Sequence, residues 1–241
     1  KNGFVKNKVL EFAGPAVSRL PMDYRIGIDV MTTETACLSS IWETDEAVAD
    51  YLALHGRPET FTALHPQDGA YYDGMIIIDL SRMEPMAALP FHPSEAVPLR
   101  ELLHDPGDHL REVEKRAAAQ FGGKAGLHLT DKLADGKLVV DQGIIAGCAG
   151  GMYDNIAEAA AILAGHDTGS GYFSLSVYPP SVPVNLELME NGVQQSLLAS
   201  GALFKPCFCG PCFGAGDVPA NNGLSIRHTT RNFPNREGSK P

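Results

Sequence analysis

The stretch Leu138-Val-Val-Asp-Gln-Gly-Ile-Ile-Ala-Gly-Cys-Ala-Gly-Gly-Met-Tyr-Asp-Asn-Ile-Ala-Glu-Ala-Ala-Ala-Ile-Leu163 decides the fold class of this chain. Its first part is rich in β-branched residues and predicts a strand over 138–146. Its last part is rich in alanine and predicts a helix over 152–163 that ends before Gly165. A buried strand followed directly by a helix is the unit of parallel sheets, so the stretch predicts an α/β fold.

The same alternation of strand and helix patterns continues on both sides of this stretch. Further strands are predicted over 9–12, 75–79, 172–178, 203–207 and 224–229. Helices are predicted from Gly14-Pro15 to Leu20, over 44–55 with Thr44 as the N-cap, over 108–121, and over 184–201 with a break at Asn191-Gly192. The proline-containing segment 82–98 predicts an extended loop. The order predicts mostly parallel sheets.

Composition excludes several classes of protein. The 241 residues carry a formal net charge of −10, which argues against a general nucleic-acid or anionic-membrane binder because phosphate binding needs a basic face. The longest apolar runs are too short to span a bilayer, and no secretory signal pattern is visible. The odd number of cysteines, five, favours the reducing cytoplasm. The chain begins with Lys1 and stops after an Arg- and Asn-rich segment, so we expect it to be cut from a longer polypeptide.

Cys148 lies between the predicted strand and the predicted helix. The carboxyl end of a strand is where α/β folds place their sites, and a helix N-terminus favours a thiolate over a thiol. Taken alone, the residue is more typical of a small buried core cysteine.

A second cysteine segment is Cys207-Phe-Cys-Gly-Pro-Cys-Phe-Gly-Ala-Gly-Asp217. Its Cys209-Gly-Pro-Cys212 pair could chelate a soft metal, form a redox disulfide or hold two corners of an iron–sulfur cluster. A structural zinc site would need a second pair of ligands, and only His104 and His109 have a suitable spacing. These alternatives stay open from the residues alone.

The third segment is Ile226-Arg-His-Thr-Thr-Arg-Asn-Phe-Pro-Asn-Arg-Glu-Gly238. Arg231 and Arg236 flank an Asn-Phe-Pro turn. Arginine side chains bind carboxylates bidentately and keep their charge when buried, although two arginines in a polar stretch are usually solvated.

Together, in this order, the three segments resemble the cluster-bearing part of the aconitase superfamily, which includes aconitase, homoaconitase and isopropylmalate isomerase. Lys8-Val-Leu-Glu-Phe-Ala-Gly-Pro15, Met31-Thr-Thr-Glu-Thr-Ala36 and Asp79-Leu-Ser81 also look like landmarks of that family. The resemblance implies two three-layer αβα domains with mostly parallel sheets. Residues 1–73 would correspond to the family's second domain, and residues 74–241 to its third.

The resemblance also implies roles for individual residues. Cys148, Cys209 and Cys212 match the three ligands of a 4Fe-4S cluster that leaves one iron open to substrate. Arg231 and Arg236 match substrate-facing arginines, and Glu34 matches an active-site carboxylate. The implied reaction is reversible dehydration and rehydration of a hydroxy-di- or tricarboxylic acid.

The sequence departs from the family pattern at Val30, at Thr230 and at 149–152, where the best-known aconitases carry other residues. These differences make citrate a doubtful substrate. The family's first domain, with catalytic His and Asp residues, and its C-terminal swivelling domain, with a serine base, have no visible counterpart. We therefore expect these domains as partners and expect the isolated chain to be inactive. The alternatives are a non-catalytic cluster-binding module, a zinc-binding module using Cys207, Cys209 and Cys212, and an RNA-binding regulatory relative.

Overall fold

A computed structural model describes residues 3–123, 126–169, 171–229, 232–234 and 236. The chain divides into two compact units, Lys1–Met83 and Glu84–Pro241, which are described separately below. The predicted division into family-like domains at 1–73 and 74–241 stays a prediction. Among the described residues, no helix is both long enough and apolar enough to cross a membrane.

The first unit is built around two parallel strands and two α-helices. Strand β1 (Val9–Phe12) pairs with β2 (Ser39–Trp42), and the predicted strand over 9–12 is confirmed. The helices are α1 (Met22–Thr32) and α2 (Glu46–Leu54). Short 3-10 helices cover Val17–Arg19, Thr33–Thr35, Pro58–Thr60 and Leu80–Arg82. The helix predicted to end at Leu20 is therefore reduced to a single 3-10 turn.

Two predictions for the first unit are wrong. Asp45, not Thr44, caps α2, because its carboxylate accepts from the backbone N–H of Val48. Thr44 instead accepts from the N–H of Leu64 and donates to the carbonyl of Thr62. The predicted buried strand over 75–79 is absent, and the side chains of 75–78 are at least half exposed. An apolar run forms a strand only where a partner supplies its backbone hydrogen bonds.

The second unit begins with a hairpin and two helices. Strands β3 (Met86–Ala88) and β4 (Ala96–Pro98) pair antiparallel, so the predicted loop over 82–98 is wrong. Pro98 lies at the end of its strand, where proline is tolerated. Helices α3 (Leu99–His104) and α4 (Pro106–Phe121) follow, and the predicted helix over 108–121 is confirmed within α4. Leu89, Leu102 and Val113 form the core of this part.

The rest of the second unit carries a four-stranded parallel sheet. Its strands and helices, with a small preceding hairpin (β5 and β6), are as follows: β5 (Leu133–Ala134), β6 (Lys137–Leu138), β7 (Gln142–Ala146), α5 (Gly147–Gly150), α6 (Tyr153–Leu163), β8 (Ser174–Tyr178), α7 (Val182–Glu190), α8 (Val193–Ala199), β9 (Leu203–Phe204) and β10 (Ser225–His228). The described part of this unit also contains two 3-10 helices, Leu129–Lys132 and Gly210–Phe213. The strand order of the sheet is β10-β7-β8-β9. The predicted α/β class with a parallel sheet is confirmed.

The two faces of this sheet differ in what covers them. On one face, Leu175 and Val177 of β8 pack in a core cluster with Ile156 of α6, Leu188 of α7 and Leu197 of α8. The predicted break between the last two helices is confirmed at Asn191-Gly192, where Gly192 has a φ of 72°.

The opposite face is partly polar. The parallel register pairs Gln142 with Ser174 and Ser225, and pairs Ile144 with Ser176 and Arg227. Since side chains alternate along a strand, these residues share the face that also carries Tyr178. This polar face lies beneath the cysteine segment 207–217.

Candidate metal centre

Cys148 lies at the carboxyl end of the sheet, as predicted. Strand β7 ends at Ala146, and Gly147 turns the chain with a φ of 82°, in the left-handed region that suits glycine. Cys148 then lies within the four-residue helix α5, and its side chain is exposed. The structure therefore contradicts the alternative that Cys148 is a buried core residue.

Cys209 and Cys212 lie on a tight turn. Cys209 precedes the 3-10 helix Gly210–Phe213, and the backbone N–H of Cys212 donates to the carbonyl of Cys209 over 3.1 Å. Cys209 is exposed, whereas the Cys212 side chain is buried. Cys207, which the family resemblance does not match to a ligand, is half-buried.

The two cysteine segments meet at Gly147. A Cβ atom added to Gly147 would lie 2.6 Å from the Sγ atom of Cys212, closer than any real contact. The absence of a side chain at 147 therefore leaves the space that the Cys212 thiol occupies. This contact brings the second cysteine segment beside the residue that precedes Cys148.

The third segment enters from the same edge of the sheet. Strand β10 is parallel to β7, so both strands end on the side that carries Cys148. A Cβ atom on Gly150 would lie 1.7 Å from the carbonyl oxygen of His228, so the end of β10 passes directly against α5. The end of β10 therefore lies beside the short helix that carries Cys148.

Buried and half-buried polar groups support the cysteine turn from below. Arg227 donates from Nη1 to the Pro211 carbonyl and from Nη2 to the Asp217 carbonyl, each over 2.8 Å. Gln142 donates from Nε2 to the same Asp217 carbonyl over 3.1 Å. Tyr178 donates from its hydroxyl to Asp217 Oδ2 over 2.6 Å. The segment is therefore fixed to the sheet on both sides of Cys212.

The charge state of Asp217 follows from these contacts. Burial acts to raise the pKa of its carboxyl, but hydrogen bonds from Tyr178 and Ser176, with the positive charges of Lys205 and Arg227, outweigh burial and lower the pKa. Burial, with the hydrogen bond to Asp217, raises the pKa of the Tyr178 hydroxyl. The pair is therefore a carboxylate that accepts from a neutral phenol.

Sequence reasoning did not assign a role to Arg227, Gln142, Tyr178 or Asp217. Arg227 lies in a strand that is largely polar. Only Gln142 has a signal in the sequence, because it is a polar residue at the start of the otherwise apolar strand that leads to Cys148. Polar residues in such strands need partners when they are buried, and Gln142 is only 7% exposed.

The other predicted site residues are Glu34, Arg231 and Arg236. Glu34 lies in the 3-10 helix Thr33–Thr35 of the first unit and is half-buried. Arg236 lies in the second unit and is also half-buried. Arg231 and the neighbouring Thr230 lie outside the described residues. The structure therefore brings the cysteine segments together and leaves the predicted substrate-binding role of both arginines, and that of Glu34, as predictions.

The donor set fits an iron–sulfur cluster by its chemistry, since three thiols are the soft ligands that such clusters take. Within the described ranges, no group of three or more His, Cys, Asp or Glu side chains is arranged to hold a metal ion. Cys148 and Cys209 are exposed, whereas Cys212 is buried, and rotation about χ1 can re-aim the exposed Cys148 thiol.

The histidine pair considered for zinc lies elsewhere. His104 and His109 line an open cavity of about 490 Å³ in the second unit, together with Arg100, Glu101 and Asp105. These side chains belong to α3, α4 and the residue between them, not to the sheet edge that carries the cysteines.

The comparisons with known proteins agree on one family. The sequence matches the aconitase family (aconitate hydratase) over residues 1–241. A 3-isopropylmalate dehydratase large subunit of Bifidobacterium longum is 28% identical over 95% of this chain and 51% of its own length. Proteins of the same name from Pyrococcus furiosus, 26% identical, and Nitratidesulfovibrio vulgaris, 28% identical, each match over 96% of this chain and 47% of their own length. The chain spans about half the length of the curated relatives it matches.

Proposed function

Because the chain belongs to the aconitase family, we propose that it is part of an iron–sulfur hydro-lyase that dehydrates and rehydrates a hydroxy-di- or tricarboxylic acid. The observation that carries this proposal is the contact between Gly147 and the Cys212 thiol, which brings two cysteine segments to one edge of the sheet. Relatives named 3-isopropylmalate dehydratase support a hydroxydicarboxylic acid as the substrate class.

The proposed cofactor is a 4Fe-4S cluster held by Cys148, Cys209 and Cys212. When bound, a cluster with three thiolate ligands supplies one iron that lacks a protein ligand and acts as a Lewis acid towards a substrate hydroxyl and carboxylate. The turn that carries Cys209 and the buried position of Cys212 support two of the proposed ligands, and the exposed Cys148, just after β7, would supply the third.

The chain's own side chains would bind and orient the substrate. Arg231 and Arg236 are proposed to hold substrate carboxylates through paired N–H donors. Glu34 is proposed as the catalytic carboxylate that hydrogen-bonds the hydroxyl that leaves or the water that adds. A base must also remove the carbon-bound proton, and we assign that base to a further domain of the same enzyme.

A partner subunit and a cytoplasmic location are also proposed. Relatives named as large subunits support a small-subunit or swivelling-domain partner, which would carry further substrate contacts. The odd number of cysteines supports a cytoplasmic location, where thiols stay reduced.

Anaerobic reconstitution of the chain with iron and sulfide tests the cofactor. We expect broad visible absorption and about four iron and four sulfide per chain, both lost in Cys148→Ala, Cys209→Ala and Cys212→Ala because each removes a ligand thiolate. Cys37→Ala and Cys207→Ala are matched controls that should keep the cluster. Binding of one zinc that depends on Cys207 but not on Cys148 would contradict the proposal and support the zinc module.

A further inference from the structure

Arg227 contacts the cysteine turn on both sides of Cys212. Its Nη1 donates to the carbonyl of Pro211, the residue before Cys212, and its Nη2 donates to the carbonyl of Asp217, five positions after it; both distances are 2.8 Å. Both carbonyls lie outside the strands, so no strand pairing satisfies them. Arg227 donates to both, and Gln142 shares only the Asp217 carbonyl.

Arg227 is itself held in place. Its Nε donates to Ser225 Oγ over 2.9 Å, and its Nη2 also donates to Gln142 Oε1 over 2.9 Å. Gln142 is buried in β7, the strand that leads to Cys148. The guanidinium therefore connects the strand behind Cys148 to the turn that carries Cys209 and Cys212.

We infer that Arg227 is the positioning residue of the cysteine turn, holding Cys212 against Gly147 so that the three thiols can be bridged by one cluster. The consequence for the cluster rests on the proposed function, whereas the position of the turn does not. A planar guanidinium with several fixed donors reaches the Pro211 and Asp217 carbonyls at once, and a lysine ammonium at the same site would lose this geometry.

Alkylation of the metal-free, reduced chain tests the position of the turn. Arg227→Lys and Arg227→Gln should raise the rate of Cys212 modification, followed by mass spectrometry, about tenfold, because the buried thiol becomes accessible when the turn opens. The rate at the exposed Cys148 should not change. Unchanged Cys212 rates in both variants would overturn the inference.

Arg116→Gln is the matched control for a general loss of stability. Arg116 lies in the same unit and likewise bonds a side chain, Glu95, over 2.5 Å, and a carbonyl, that of Pro90, over 3.4 Å. It lies in α4, whereas the cysteine segments flank the sheet. An equal rise in Cys212 modification in Arg116→Gln would show that the effect at Arg227 reports unfolding, and would also overturn the inference.

The cluster provides the second measurement. In the reconstituted chain, we expect an iron chelator to bleach the visible absorption about tenfold faster in the Arg227 variants than in the wild type or Arg116→Gln. Equal bleaching rates would overturn the role in cluster binding. If the wild-type chain takes up no cluster, the proposed function fails, while the alkylation rates still decide whether Arg227 positions the turn.

Discussion

The packing at the cysteine edge depends on two glycines that have no room for a side chain. Gly147 faces the Cys212 thiol and Gly150 faces the His228 carbonyl, and both close approaches would be blocked by a single methyl group. The two residues lie on either side of Cys148. The exposed cysteine therefore lies between two close contacts that only glycine permits, one with the Cys212 thiol and one with the His228 carbonyl.

Gly147→Ala should destabilise the second unit by about 2 to 4 kcal/mol in urea unfolding, because it combines a strained positive φ with overpacking against Cys212. It should also reduce iron uptake, since the thiol must move. Gly165→Ala is the matched control, because Gly165 has a φ of 75° and a Cβ atom placed there would have no other atom within 4 Å. That variant should cost about 1 kcal/mol and leave iron uptake intact. Equal losses in both variants would contradict the contact with Cys212.

The sequence predicts the cysteines better than it predicts the residues that hold them in place. The spacing of Cys209 and Cys212 made that pair a candidate because it is an uncommon pattern with few uses, whereas Cys148 became a candidate only through the family resemblance. Arg227 carries no such pattern, since one arginine in a strand is equally consistent with a solvated edge. Its role depends on the register that places it on the same sheet face as Gln142, and pairing between distant strands is set by tertiary structure.

At the scale of elements, the start of α2 is fixed by an ion pair as well as a cap. Asp45 accepts from Val48 N–H at the helix N-terminus and also pairs with Arg25 of α1, whose side chain is 3% exposed. Arg25 donates two bonds to this carboxylate and a third to the Leu20 carbonyl. This shared carboxylate ties α1 to α2.

Asp45→Asn should destabilise the first unit by about 1 to 2 kcal/mol at neutral pH, since asparagine keeps the cap but loses the charge pair. The hydrogen bond from Arg25 lowers the pKa of Asp45 from 3.8. The ion pair therefore contributes its full stabilisation above the pKa that Asp45 has in the unfolded chain. That contribution is lost as the pH falls through the lower pKa of the folded state. The difference between wild type and variant should shrink below about pH 4 in urea unfolding.

Asp50→Asn serves as the control for this pH dependence, because Asp50 is exposed on the same helix. We expect a change within about 0.5 kcal/mol at any pH. A difference for Asp45→Asn that stays constant down to acidic pH would contradict the ion pair as its source.

The correctly predicted elements are those whose signal lies within a short stretch of sequence. The helix break at Asn191-Gly192 and the strand over 9–12 depend on local turn chemistry and side-chain pattern. The hairpin of β3 and β4 and the exposed run 75–78 depend on whether a partner strand is available, which a window of sequence does not contain. These two errors therefore arise where strand pairing decides the structure.

At the scale of the whole molecule, the described residues account for the candidate cluster ligands more completely than for the proposed reaction. The second unit contains all three candidate ligands and the polar contacts that hold them, whereas Glu34 lies in the first unit. The chain spans about half the length of the relatives it matches. Hydration of an unsaturated acid also needs a base and groups that surround both carboxylates.

The isolated chain, reconstituted with iron and sulfide, should therefore not hydrate aconitate or an isopropyl-substituted maleate. If the base lies in a further domain, as we propose, removal or delivery of the carbon-bound proton lacks its general acid–base contribution of about a hundredfold or more. Without further substrate contacts, the acid is also poorly oriented. The measurement is the ultraviolet absorbance of the unsaturated acid, followed with wild type and with Cys148→Ala. Turnover by the wild-type chain that disappears in Cys148→Ala would contradict the prediction, because contamination by a complete enzyme would remain in both. Such a result would place the base within these 241 residues.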